Sequence, residues 1–193
     1  MRICVFGAAS DKICESYIKA VEVMGEKLAK RGHGLVFGAG GNGLMGAAAR
    51  GVKRAGGEII GVIPRFFKDE EVEKIFDECT ELIFTETMAQ RKTKMEELAD
   101  AFIVVPGGIG TFEEFFEVLT LKQLSRHTKP IAVYDINGYY KNMDAFLEVS
   151  YKEQFIREDC RELYCYSDNL DVVFEYIESD KRIQRDVHDL KNG

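Results

Sequence analysis

The sequence predicts an α/β protein: a doubly wound, mostly parallel Rossmann-like sheet with helices on both faces. Two observations carry this expectation. Short Val/Ile/Phe-rich runs bounded by glycine or proline alternate with helical patterns of ten or more residues, and near-continuous apolar strands of that kind belong to a parallel sheet covered on both sides. Three of those runs also end in glycine-bearing turns, at the strand ends where such sheets bind ligands.

Strands are expected at Arg2–Gly7, Gly34–Gly38, Glu58–Ile63, Leu82–Thr85, Phe102–Val105 and Ile131–Tyr134, with a further one at Leu163–Tyr166. Helices are expected at Ile13–Arg31, Gly43–Ala55, Ala89–Ala99, Thr111–Ser125, Tyr139–Phe155 and Leu170–Ile177. There is no internal repeat and no linker, so residues 1–193 read as one domain whose polar residues 181–193 form a peripheral tail.

Composition narrows the function classes. A formal charge of −7 argues against a nucleic-acid surface. Five cysteines form no CxxC pair, and their odd number fits a reduced compartment better than a disulfide framework. Three widely spaced histidines disfavour a histidine-rich metal site. The opening MRICVFGAAS is too short an apolar run for a secretory segment, and no stretch approaches the ~18 apolar residues that span a bilayer. A cytoplasmic protein without membrane association is the expectation.

The three turns are Gly7-Ala8-Ala9-Ser10, Gly38 to Gly43, and Gly107 to Gly110. Gly38 to Gly43 reads G-x-G-x-x-G, but it follows the second strand, and no acidic residue closes the next one. Dinucleotide binding is therefore disfavoured; a phosphate or ribose contact and a purely structural turn both stay open. No lysine follows the glycines as a Walker A loop requires, and no G-x-S-x-G elbow is present.

The densest signal is Pro106 to Glu114, PGGIGTFEE. A strand runs into glycines and then into a helix start, where unpaired N–H groups and the positive dipole end suit an anion. Glu113 and Glu114 have a plain reading as acidic residues complementing a first helical turn. Against it, the strand end delivers them to the ligand edge, beside an anion site that a spare carboxylate would repel. Adjacent helical positions diverge by ~100°, so only one of the two can face a ligand. Arg91 and Lys92 open the preceding helix, where basic residues oppose the dipole. A solvated face explains them less well than an anion or carboxylate partner in the cleft.

Met88-Ala89-Gln90-Arg91-Lys92, followed by Pro106 to Glu114 in the pattern PGGxGTxxE, resembles the two signatures of the LOG ("Lonely guy") family. The similarity extends to the Gly7–Ser10 turn, the Gly40–Gly46 loop and Asn137-Gly138-Tyr139-Tyr140. The resemblance implies hydrolysis of the N-glycosidic bond of AMP or an N6-modified AMP (a cytokinin riboside 5'-monophosphate), with no cofactor and no metal, by a homodimer. It implies Arg91 and Glu114 as catalytic residues. As substrate-binding residues it implies Ser10, Gly40, Gly41, Met88, Lys92, Gly107, Gly108, Ile109, Gly110, Thr111, Glu113 and Thr120. One departure stands out: Phe66 and Phe67 follow Pro64-Arg65 where many plant-type members carry a glutamate. A non-catalytic nucleotide-binding or sensor protein is the alternative. Decarboxylation with pyridoxal phosphate, a role often given to such proteins, lacks an obvious Schiff-base lysine.

Overall fold

In the computed structural model, residues 1–70 and 74–179 are described; the tail from 181 lies outside them. Seven strands form one parallel sheet: β1 (Arg2–Phe6), β2 (Gly34–Phe37), β3 (Ile59–Pro64), β4 (Glu81–Thr85), β5 (Ala101–Val104), β6 (Ile131–Tyr134) and β7 (Cys165–Ser167). Their order is β4-β3-β2-β1-β5-β6-β7. The chain winds outward from β1 to β4, then crosses back to place β5 on the other side of β1. The strand order thus reverses between β1 and β5, which makes that point the expected crevice for a ligand.

Among the described residues, seven α-helices cover the sheet: α1 (Glu15–Lys30), α2 (Gly43–Arg54), α3 (Arg65–Asp69), α4 (Met88–Leu98), α5 (Ile109–Gln123), α6 (Lys141–Lys152) and α7 (Leu170–Glu178). Strand residues alternate between two cores. Ile3 and Val5 pack with Val21, Met24 and Leu28 of α1 and Val173, Phe174 and Ile177 of α7. Cys4 and Phe6 face the other way, toward Met95 of α4 and Phe115 and Val118 of α5. Every residue of β1–β3 and β5 except Arg2 is buried, which is why these runs lack polar alternation.

Most boundaries shift by one to three residues from the sequence expectation, and three of the shifts bear on the site or have a clear local cause. Helix α5 begins at Ile109 rather than Thr111, so Glu113 and Glu114 fall in its second turn and the first turn holds no acidic residue. Complementing the dipole therefore does not explain them. Helix α6 starts at Lys141 rather than Tyr139 because Ile136–Gly138 forms a 3-10 turn with Asn137 at φ 56°, and Asp135 Oδ1 accepts from the Tyr140 N–H at 2.7 Å. Leu163 ends a second 3-10 turn, Glu158–Leu163, which delays β7 to Cys165. The short α3 had no periodic signal to announce it.

Candidate functional site

Beyond the carboxyl ends of β1–β3 and β5 lies a cavity of about 350 Å³. Its walls come from the three glycine turns and from α3, α4 and α5. The Gly107–Thr111 segment forms one side. Four consecutive N–H groups there, Gly108 through Thr111, have no hydrogen-bond partner among the described residues, while the Gly107 N–H is taken up by the Tyr140 hydroxyl oxygen; the first helical bond runs from the Phe112 N–H to the Gly108 carbonyl at 3.0 Å.

The carbonyls of the same turn are all occupied. Val105 accepts from the Tyr140 hydroxyl at 2.8 Å, Pro106 from the Ala8 N–H at 3.1 Å and Gly107 from the Tyr139 hydroxyl at 2.6 Å. A trans peptide points its N–H away from its carbonyl. Fixing the Gly107 carbonyl on one side therefore turns the Gly108 N–H to the other. The turn is built to receive an anion rather than a cation. Gly107 is required for close approach: a Cβ there would lie 2.0 Å from the Thr111 hydroxyl, and Thr111, nearly fully buried, lines the cavity.

Arg91, from the first turn of α4, reaches over the sheet edge. Its Nε donates to the Val62 carbonyl at 3.2 Å and one terminal nitrogen donates to the Gly38 carbonyl at 3.3 Å, while the guanidinium stands 5.8 Å from the Phe67 ring centre. Gly38 permits this, since a Cβ there would sit 1.7 Å from that nitrogen. These contacts to neutral groups leave the arginine charge uncompensated, and so free to act on a ligand in the cavity.

Glu114 lines the same cavity and accepts no hydrogen bond among the described residues. Burial pushes its carboxyl up to about 7, against the opposing pull of Arg91. A carboxyl poised near neutrality in a cleft is suited to proton transfer.

Of the residues expected at the site, Ser10, Gly40, Arg91, Gly108, Gly110, Thr111 and Glu114 line this cavity together. The rest lie elsewhere. The Gly41 N–H donates to the Lys74 carbonyl at 2.6 Å, and the Leu44 N–H at the start of α2 donates to Ala8 at 2.8 Å. Much of the G-x-G-x-x-G loop is thus spent on clasping its neighbours, with Ala39 held at φ 61°. Lys92 and Glu113 pair with each other outside the cavity, and Glu117 holds the same ammonium at 2.8 Å. Met88 and Ile109 are exposed. Gly107 faces a second, smaller cavity, and Thr120 faces a groove on the far side of α5.

Sequence reasoning missed the apolar walls, Met45, Phe67 and Met95. Met95 lies four residues after Arg91, on the same helix face, and that spacing was the available signal. Phe67 stood in the departure after Pro64-Arg65 and Met45 in the Gly40–Gly46 loop, but neither was expected to wall the cavity.

Residues 45–177 match the family model described as "Possible lysine decarboxylase". Two similar curated relatives are the cytokinin riboside 5'-monophosphate phosphoribohydrolases LOG2 and LOG5 of Arabidopsis thaliana. They are 35% and 33% identical over 177 and 186 residues, covering 92% and 96% of this chain and 82% and 81% of theirs. Among solved structures, the molybdenum cofactor binding protein of Rippkaea orientalis gives a TM-score of 0.70 at 20% identity, over 92% of this chain and 95% of that one. The molybdenum cofactor carrier protein of Chlamydomonas reinhardtii gives 0.69 at 22%, over 90% and 93%. Likeness at that identity is likeness of fold. The family-model match and the curated relatives go further, and on them the chain belongs to the LOG family.

Proposed function

We propose that this protein hydrolyses the N-glycosidic bond of AMP or of an N6-modified AMP, a cytokinin riboside 5'-monophosphate, releasing the base and ribose 5-phosphate. One observation carries the reading: Gly108, Gly110 and Thr111, whose N–H groups are unpaired, and the unpaired carboxyl of Glu114 border a single cavity. The phosphate sits on the Gly108, Gly110 and Thr111 N–H groups with the Thr111 hydroxyl assisting, and its binding helps to drive the chemistry at the sugar.

Cleavage breaks the bond between ribose C1′ and the base nitrogen and forms one from C1′ to a water oxygen. Positive charge develops on the sugar as the base departs. The Glu114 carboxylate stabilises that charge and takes a proton from the attacking water; one proton is returned to the departing base, so that a single water supplies OH to C1′ and H to the base and the carboxylate is restored. Arg91, fixed on the Gly38 and Val62 carbonyls, holds substrate or base in register.

A homodimer and a cytoplasmic location belong to the same proposal. Phe116 on α5 and Phe146, Val149 and Phe155 on or beside α6 are exposed, an apolar surface that a second copy would cover. All five cysteines are free, as a reduced compartment favours. No helix of the described residues is long and apolar enough to cross a membrane.

The deciding assay is release of the free base from AMP, isopentenyl-AMP, GMP and CMP. Glu114→Gln should lower turnover of the preferred substrate by at least ~100-fold; wild-type turnover in that variant would remove Glu114 from the mechanism. Nucleotide binding with no ribose 5-phosphate formed would favour the binding-protein alternative instead.

A further inference from the structure

Two adjacent tyrosines, Tyr139 and Tyr140, each place a hydroxyl on a carbonyl of the Val105–Gly108 turn, yet the peptides they hold differ in what they present to the cavity. The Tyr140 hydroxyl holds the Val105 carbonyl at 2.8 Å. The next residue is Pro106, which has no N–H, so this bond orients no donor, and the same hydroxyl oxygen takes the Gly107 N–H out of the cavity's reach. Tyr140 is almost fully buried and also anchors the 3-10 turn through its own N–H to Asp135. The Tyr139 hydroxyl holds the Gly107 carbonyl at 2.6 Å, and the N–H of that peptide belongs to Gly108. Being trans, the peptide sends this N–H away from Tyr139, toward the cavity that Gly108 lines with Arg91, Thr111 and Glu114.

Glycines on both sides of the Gly107–Gly108 peptide leave it the least constrained plane of the turn. Among the described residues, the Gly107 carbonyl has no hydrogen-bond donor besides Tyr139. The Tyr139 ring is held in turn by an edge contact with Tyr17 of α1, at 6.3 Å between centres.

We infer that Tyr139 is a positioning residue for the anion cradle: through the Gly107 carbonyl it fixes the Gly108 N–H on the substrate phosphate, whereas its neighbour Tyr140 holds the Val105 carbonyl and takes up the Gly107 N–H, neither of which faces that phosphate. This rests on the nucleotide reading of the cavity. It adds to that reading a residue outside the cavity wall that governs recognition of the phosphate.

The test is calorimetric titration of the intact protein with ribose 5-phosphate, which needs no turnover, alongside thermal melting. Tyr139→Phe should weaken ribose 5-phosphate binding five- to tenfold with a melting temperature near wild type. Tyr140→Phe should lower the melting temperature and leave the affinity within twofold. Unchanged affinity in Tyr139→Phe, or equal weakening in both variants, overturns the inference. Wild-type protein that does not bind ribose 5-phosphate overturns the nucleotide reading and this inference with it. Should Tyr139→Phe fail to fold, the wild-type Gly108 amide resonance serves instead: it must move on addition of ribose 5-phosphate, and a stationary resonance refutes the role.

Discussion

Arg91 and Glu114 line one cavity without a hydrogen bond or ion pair between them. Arg91 spends its nitrogens on the carbonyls of Val62 and Gly38, so its charge reaches Glu114 only through space. Burial wins over that attraction, and the carboxyl rises to about 7 instead of falling below its usual range. Had the two paired directly, the carboxylate would be ionised at all physiological pH values and tied up by the arginine.

A pH dependence follows, with a definite sign. If Glu114 acts as the carboxylate, kcat/KM for AMP should climb as pH rises through about 7 and level off above it. The substrate phosphate ionises at about pH 6, so the acid limb should be fitted with two ionisations. A profile that falls across the same window would assign Glu114 the acid role. Folding should respond oppositely. The carboxyl is easier to protonate folded than unfolded, so its contribution to stability is full below about 4.5 and is lost as pH rises through 7.

Gly38→Ala isolates the arginine. The added methyl would collide with a terminal nitrogen of Arg91, the free end of a flexible side chain, so the protein should fold with near-normal stability. The guanidinium must move by about an ångström or more, and turnover should fall by roughly 100-fold. Steady-state kinetics with a melting curve separates this from general damage: full activity in Gly38→Ala would mean that Arg91 need not be fixed.

Lys122 offers a test of stability away from the site. It is 3% exposed on α5, burial lowers its ammonium to about 8, and no hydrogen bond or ion pair holds it among the described residues. The folded state therefore disfavours the charged form. That cost is full below pH 8 and fades as pH rises toward 10.5. Lys122→Met should stabilise the protein by about 2 kcal/mol at pH 7, measured by urea denaturation, with the gain shrinking above pH 8. A gain independent of pH would trace to packing rather than charge.

The exposed phenylalanines carry the assembly prediction. Phe146 and Phe155 are 69% and 86% exposed, so replacing them by glutamate costs the monomer little. Sedimentation should show a dimer for wild-type protein and a monomer for Phe146→Glu with Phe155→Glu. A wild-type monomer at micromolar concentration would defeat the dimer.

What the sequence alone determined is local in origin. The apolar run Phe102–Val105 marks a buried strand, and Gly108 and Gly110 at a helix start leave N–H groups free; both follow from backbone chemistry within a few residues. The pairing of Arg91 with Glu114 at one site was legible through two motifs at a recognisable spacing. The tertiary structure decided which neighbours compete for each group. Lys92 and Glu113, adjacent to the chosen pair and identical in type to useful ligands, neutralise each other across the α4–α5 contact. The Gly41 N–H goes to Lys74, while Tyr139, thirty-two residues beyond Gly107, takes hold of the turn. Those outcomes depend on strand order and helix rotation, because a polar group bonds to whatever partner the packed chain places within about 3 Å.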